Sequence, residues 1–235
     1  MEMEANVVTY PARLDGRIEE PMNRLLWLVK WVLLIPHFLC LIGLWLALSL
    51  LTIVAGLSIL VTGRYPRSMF EFNVGVLRWT WRVQFYGISA FATDRYPPFS
   101  LRPDPTYPAD FTVDYPERLS RGLVLVKWWL LAIPQYLIVA VLAGGLGLDA
   151  DGVWRIVGGG GVIAVLAVAS AVVLAFTGSY PRQLFDVTMG LNRWCYRVVA
   201  YVALLRDEYP PFRYDGGGTD PGSVPPAPDK LSVAA

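Results

Sequence analysis

Histidine and cysteine are almost missing from this chain of 235 residues, which holds one histidine and two cysteines. Cys40 lies in an apolar block and Cys195 in a mixed segment far away, so they make neither a disulfide framework nor a metal site. Gln135 replaces the sole histidine, His37, in the second half, which leaves a proton relay or metal set without its partner. No Ser-His-Asp set, no His-Glu-x-x-His and no paired carboxylate within an apolar run is present. No catalytic residue, metal or cofactor is therefore expected, and an enzyme is the least favoured class. Charge is scarce too. Charged residues make up 17% and the formal net charge is +1, which gives no nucleic-acid footprint. The N-terminus has no basic stretch followed by a small-residue cleavage site; Glu2, Glu4, Asp15, Glu19 and Glu20 precede the first apolar run. A cleaved signal peptide is not expected, and the first apolar run serves as its own insertion signal.

What is present is apolar and arranged in blocks. Hydrophobic residues reach 55% and the mean hydropathy is +0.45. Leu25–Thr62 contains no acidic residue and one basic residue, Lys30, and is longer than the ~20 residues that span a bilayer. Gly122–Leu148 and Val153–Phe176 are two further runs of spanning length. The class is integral membrane protein. With no acidic residue in these runs, proton-coupled transport lacks its usual equipment.

The chain also repeats itself. Thr62-Gly63-Arg64-Tyr65-Pro66-Arg67 returns as Thr177-Gly178-Ser179-Tyr180-Pro181-Arg182, and Val29-Lys30-Trp31 as Val126-Lys127-Trp128. Tyr96-Pro97-Pro98-Phe99 returns as Tyr209-Pro210-Pro211-Phe212. A repeat of this length is one folding unit duplicated. The expected fold is an all-α membrane protein of two tandem repeats, each a transmembrane helical hairpin followed by an interfacial amphipathic helix, four spans in all. The expected boundaries are a polar arm (1–21), repeat 1 (22–99), a Pro-rich linker (100–114), repeat 2 (115–212) and a disordered tail (213–235). The second repeat carries 17 more residues between its proline and threonine, including Gly144–Gly152, so its hairpin tip is enlarged. In repeat 1 the tip is expected near Gly43 to Ser49. The other arrangement is an interfacial helix broken at Pro36 and then one long span. Pro36 and Pro134 are expected to bend the first helix of each hairpin.

The third helix of each repeat carries a thin charged stripe. At spacings of four, four, three, four and four, the first copy reads Arg67, Glu71, Gly75, Arg78, Arg82, Tyr86. The second reads Arg182, Asp186, Gly190, Arg193, Arg197, Tyr201. Three arrangements satisfy such a stripe: ordinary i,i+4 pairs with generic headgroup contacts, a specific anionic ligand gripped by arginine forks, or an acidic partner segment docked along it. Arg67, Arg78, Arg82, Arg182, Arg193 and Arg197 are the candidate residues for binding anionic lipid or a partner. Arginines cluster at the hairpin ends, including Arg24, Arg64, Arg95, Arg118, Arg121 and Arg206, and only Arg155 lies near a tip. The charge bias places both termini and both third helices on the cytoplasmic side. Lys30 and Lys127 are expected to snorkel to that interface.

These motifs, Val29-Lys30-Trp31 with Ile35-Pro36-His37, Thr62 to Arg67, Arg78-Trp79, Arg82-Val83 and Asp94 to Phe99, resemble the bacterial membrane family catalogued as domain of unknown function 4389. Two copies cover about residues 10–212, and the second departs at Ser179, at Gln135 and in its enlarged tip. The resemblance implies a bacterial plasma-membrane protein and supplies no reaction, substrate or catalytic residue. The expected role is a non-enzymatic accessory or scaffold protein that binds anionic lipid headgroups or another membrane protein at the cytoplasmic face. A lipid or small-solute transporter component is the alternative.

Overall fold

The computed structural model describes residues 10–144, 147–148, 154–155 and 161–223. The elements run β1 (Ala12–Gly16), α1 (Trp27–Leu33), α2 (Ile35–Thr62), α3 (Arg67–Gly87), β2 (Ala109–Val113) and α4 (Arg121–Val126). Helix α4 continues as a π-helical segment, Lys127–Leu131. Then follow α5 (Ile133–Ala143), β3 (Gly147–Leu148), β4 (Trp154–Arg155), α6 (Val162–Thr177) and α7 (Arg182–Val202). The described chain is mostly helical, but the all-α expectation misses two small antiparallel ladders, β1 with β2 and β3 with β4.

The repeated Thr-Gly-x-Tyr-Pro-Arg motif is a helix stop followed by a helix start. Thr62 Oγ1 donates to Ser58 O at 2.7 Å and accepts from Arg64 N at 3.1 Å. Gly63 takes the left-handed conformation at φ 71°, the usual end of a helix because no Cβ clashes there. Tyr65 is buried and accepts a hydrogen bond from Asn73 Nδ2 at 2.7 Å, and Pro66 leads into α3. Thr177 and Gly178 repeat the arrangement, with Thr177 Oγ1 donating to Val173 O at 2.8 Å and Gly178 at φ 77°.

Repeat 1 does not form the expected hairpin. Helix α2 runs unbroken for 28 residues through Gly43–Ser49, where a tip was expected. The break falls earlier, at Leu34, so α1 and α2 follow the other arrangement, one short helix and then one long one. Pro36 stands in the first turn of α2, and Pro134 in the first turn of α5. A proline is cheapest there, because the amide hydrogen it lacks has no partner in a first turn. In repeat 2 the enlarged tip contains the β3–β4 ladder, and the rest of the tip lies outside the described residues. Among the described residues one helix, α2, is long and apolar enough to cross a membrane. A second qualifies if Arg121–Leu131 and Ile133–Ala143, bent by 49°, count as one span; α6 has 16 residues.

The third helices are packed inside the protein on more than one face. Helix α3 runs antiparallel along α2: Asn73 Nδ2 donates to Thr52 Oγ1 at 3.2 Å, and Trp45 Nε1 to Thr80 Oγ1 at 3.1 Å. Its opposite face meets the β1–β2 ribbon, where Trp81 Nε1 donates to Asp15 O at 2.9 Å. The ribbon pairs Ala12 with Val113 and Gly16 with Ala109, and buries Ala12, Leu14, Ala109 and Phe111 between α3 and α7. Phe111 and Trp81 both meet the Tyr196 ring of α7, with centroids 5.2 and 5.5 Å apart. The polar arm and the linker thus supply the central strands of the core. Beyond repeat 2, Tyr214 Oη donates to Asp186 O at 3.1 Å and Gly218 O accepts from Gly16 N at 2.9 Å, so the described part of the expected tail, 213–223, is folded against α7 and β1, and 224–235 lie outside the described residues.

Candidate functional site

Burial decides the fate of the stripe. The side chains of Arg78, Arg82, Arg193 and Arg197 are at most 9% exposed, because α3 and α7 turn the stripe toward the ribbon and the segments that follow each repeat. Arg78 Nη1 donates to Leu101 O at 3.0 Å, and its Nε lies 2.9 Å from Asp110 Oδ1 without hydrogen-bond alignment. Arg82 Nη1 donates to Arg102 O at 3.1 Å, and Nη2 lies 3.4 Å from Asp110 Oδ1. On α7, Arg193 donates to Leu14 O at 2.9 Å, Asp215 O at 2.6 Å and Gly218 O at 2.8 Å. Arg197 pairs with Asp215 at 2.6 Å and with Asp220 at 3.1 Å. The acidic segment that docks along the stripe belongs to the chain itself. This corrects the expectation that these four guanidinium groups face lipid headgroups: desolvated arginines need fixed acceptors, and the linker and tail provide them.

The electrostatics differ between the copies. Burial lowers the pKa of Arg82 and of Arg193, opposed in each case by neighbouring aspartates. Burial also raises the Asp110 carboxyl above the ordinary range, more than Arg78 and Arg82 pull it down. At Asp215 burial pushes upward as well, but hydrogen bonds from Arg197 and Arg213 outweigh it and hold the carboxyl low.

Glycine makes the docking possible at equivalent places. A Cβ on Gly75 would stand 2.9 Å from Leu101 Cβ, and one on Gly190 would stand 2.3 Å from the Tyr214 ring. Leu101 and Tyr214 follow the two Tyr-Pro-Pro-Phe segments at the same distance. Those segments are themselves clamped by a duplicated set of side chains. Lys30 pairs with Asp94 at 3.0 Å and donates to Thr93 O at 2.6 Å; Lys127 pairs with Asp207 at 2.8 Å and donates to Arg206 O at 3.0 Å. Neither lysine snorkels, since both are buried against a carboxylate and a carbonyl. Trp79 Nε1 donates to His37 Nδ1 at 2.9 Å, and Trp194 Nε1 to Gln135 Oε1 at 2.7 Å. The His37 ring stacks on Phe99 with centroids 4.0 Å apart. His37 is therefore an acceptor inside a packed clamp, and Gln135 does the same work with its amide oxygen.

Two stripe arginines remain outside. Arg67 forms the expected i,i+4 pair with Glu71 at 3.0 Å. Arg182 is exposed, and no ion pair joins it to Asp186 among the described residues. Among the other described cations without a hydrogen bond or ion pair are three that the sequence marks only as topology signals. Arg64, Arg118 and Arg121 line a cavity of about 480 Å³ together with Thr62, Gly63 and Leu119. None of these three guanidinium groups makes a hydrogen bond or ion pair among the described residues. No sequence signal brings them together: they meet because Leu119 N donates to Gly63 O at 2.9 Å, a contact between repeats that no spacing reveals. Among the described residues no group of His, Cys, Asp and Glu could hold a metal ion.

No curated protein and no solved structure matches the chain. A family model described as a domain of unknown function (DUF4389) matches residues 24–100, which hold α1 to α3 and the first Tyr-Pro-Pro-Phe segment, and residues 153–213, which hold α6, α7 and the second such segment. Together these segments are more than half of the sequence, and the chain belongs to the DUF4389 family.

Proposed function

We propose that the chain is a multi-pass protein of a bacterial plasma membrane that acts without catalysis, as an accessory or scaffold whose cytoplasmic face holds anionic lipid headgroups or a partner membrane protein. The outer face of α2 carries this reading. Leu39, Leu46, Leu50, Ile53, Leu57 and Val61 are each more than 60% exposed, and only 17% of the most apolar stretch of α2 is buried. Such a face in water is an aggregation surface; in lipid it is at home. At 1.5 Å per residue α2 is about 42 Å long, more than the roughly 30 Å hydrocarbon core, so it crosses at a tilt. The bent α4–α5 pair and α6 enter the bilayer beside it. Basic residues gather where α2 and α6 end: Arg64 and Arg67 follow Gly63, and Arg182 follows Gly178. That bias favours a cytoplasmic location for these ends.

The test is labelling in intact cells. A cysteine replacing Asp149 or Asp151, both outside the described residues, should react with a membrane-impermeant reagent, and one replacing Ser232 should not. The reverse pattern would overturn the orientation, and extraction of the chain by alkaline carbonate would overturn membrane embedding.

A lipid or small-solute transporter component is the second reading, favoured by one feature. A cavity of about 260 Å³ opens between the repeats, where Trp45, Thr80, Gln84, Asn192 and Tyr196 add polar groups to an apolar lining. Purification from native membranes in mild detergent separates the two: a stoichiometric protein partner supports the scaffold, and a discrete bound solute supports the carrier.

A further inference from the structure

We infer that the cavity between the Gly63 turn and the Arg118–Arg121 segment is a binding site for a phosphate group, borne by a phospholipid headgroup or free in solution. The inference deepens the anionic-headgroup reading above and depends on it only for the lipid source. Three guanidinium groups, those of Arg64, Arg118 and Arg121, share one cavity with no partner of their own. The carboxylates around them are already engaged. Glu71 is held by Arg67, Asp207 by Lys127 and by Ser120 N, and Glu208 by Arg206. Asp114 is held by Arg13, and the one carboxylate left over, Glu117, lines a neighbouring hollow that shares only Arg118 and Leu119 with the cavity. Three uncompensated cations in one concavity call for a polyanion, and guanidinium forks match the geometry of phosphate oxygens.

The walls are fixed before any ligand arrives. Leu119 N donates to Gly63 O at 2.9 Å, and Ser120 N donates to Asp207 Oδ2 at 2.5 Å. Gly63 is required by its φ of 71°, and Arg121 Nε lies 3.7 Å from where a Cβ would stand, which sets that side chain beside the turn. The equivalent place in repeat 2 shows what a closed version looks like. There Ser179 stands for Arg64 and Pro21 for Arg118, and the Arg24 guanidinium lies over Gly178, 2.5 Å from its Cβ position. One copy is covered by its single arginine, whereas the other keeps three around an open space.

The surroundings suit a lipid. Ile53, Leu57 and Val61 form an exposed row at i,i+4 spacing that leads along α2 to Thr62 at the cavity wall. A headgroup phosphate among the arginines would leave its acyl chains beside that row. The volume also exceeds the need of a bare phosphate ion and falls in the range of pockets that hold organic ligands.

The experiment uses the full chain in detergent micelles. Native mass spectrometry reads retention of phosphatidic acid and phosphatidylglycerol, and a thermal-shift titration with inorganic phosphate provides a bilayer-free arm. One anionic phospholipid per chain should be retained, and Arg64→Ser, Arg118→Gln and Arg121→Gln should each weaken it by about tenfold or more. Arg24→Gln should leave it unchanged. The triple Lys variant keeps the charge and guards against misfolding, and it too should lose most of the binding because Lys cannot fork. Displacement of lipid by inorganic phosphate supports recognition of the phosphate with a lipid as its bearer. A phosphate-dependent thermal shift without lipid retention supports a soluble ligand at the same site. Wild-type binding in the triple Gln/Ser variant, or no response of the wild type to either probe, overturns the site. A chain recovered in the soluble fraction fails the membrane reading instead, and the phosphate arm still judges the cavity.

Discussion

Two buried cations depend on Asp220. Its carboxylate lies 3.1 Å from Arg197 and 3.3 Å from Arg193, and its side chain is 1% exposed. Removing one partner of a buried ion pair strands the other in a medium that cannot solvate it, at a cost of about 3–5 kcal/mol. Asp220→Ala should therefore lower the melting temperature of the purified protein sharply. Glu71→Ala removes a carboxylate from a pair with both side chains more than 60% exposed, and should change little. Equal losses from the two variants would show that the tail contacts are not what stabilises α7. Asp110 and Asp215 offer a pH test with opposite signs. A carboxyl held low, as Asp215 is, contributes stability that is complete above the unfolded value of about 3.9 and is lost as pH falls through the folded value. A raised carboxyl behaves inversely: the folded chain binds the Asp110 proton more tightly, so ionisation costs stability as pH rises through its folded value. Carboxyl carbon NMR during acidification should show Asp110 taking up its proton at the higher pH. The opposite order would mean that the arginines, not burial, dominate at Asp110.

Among the elements, helix ends were legible and helix surroundings were not. Thr62-Gly63 and Pro66 announce a stop and a start by local chemistry, and α3 and α7 begin where the motif places them. Pro36 begins a helix instead of bending one, and a proline reads the same in either place; only the break at Leu34 decides. Repeat 1 lost its hairpin because an apolar run carries no mark of where it turns, and Gly43 is accommodated within a continuous helix. The stripe on α3 and α7 was readable as a periodicity, yet its partners Asp110, Asp215 and Asp220 lie in segments whose Pro and Gly content imitates a linker or a tail. Glycine substitutions separate the two situations. A Cβ at Gly190 meets Tyr214 at 2.3 Å, so Gly190→Ala must push the ring away and should destabilise by about 1–3 kcal/mol. A Cβ at Gly43 meets nothing within 4 Å, so Gly43→Ala should be neutral or stabilising by up to about 1 kcal/mol. Thermal unfolding in one detergent compares them directly. Equal effects would mean that Tyr214 does not rest on α7 in solution.

Across the whole molecule, the duplication shows in how the repeats hold one another. Arg24, at the start of the first repeat, lies on Gly178 of the second, and Arg121, at the start of the second, faces Gly63 of the first. The central strand belongs to neither. Leu14 and Gly16 of β1 are bonded by β2 on one side, while Gly218 O and the Asp220 carboxylate reach β1 from more than 200 positions away. This closure has a consequence in time. During synthesis the apolar helices emerge before residues 215–220 leave the ribosome. Until then β1 lacks its last neighbour, and Arg193 and Arg197 lack their carboxylates. A translation product that stops short of Asp215 is thus an unfinished protein, with two unmatched cations that set it apart from the completed chain and offer a protease a means to tell them apart.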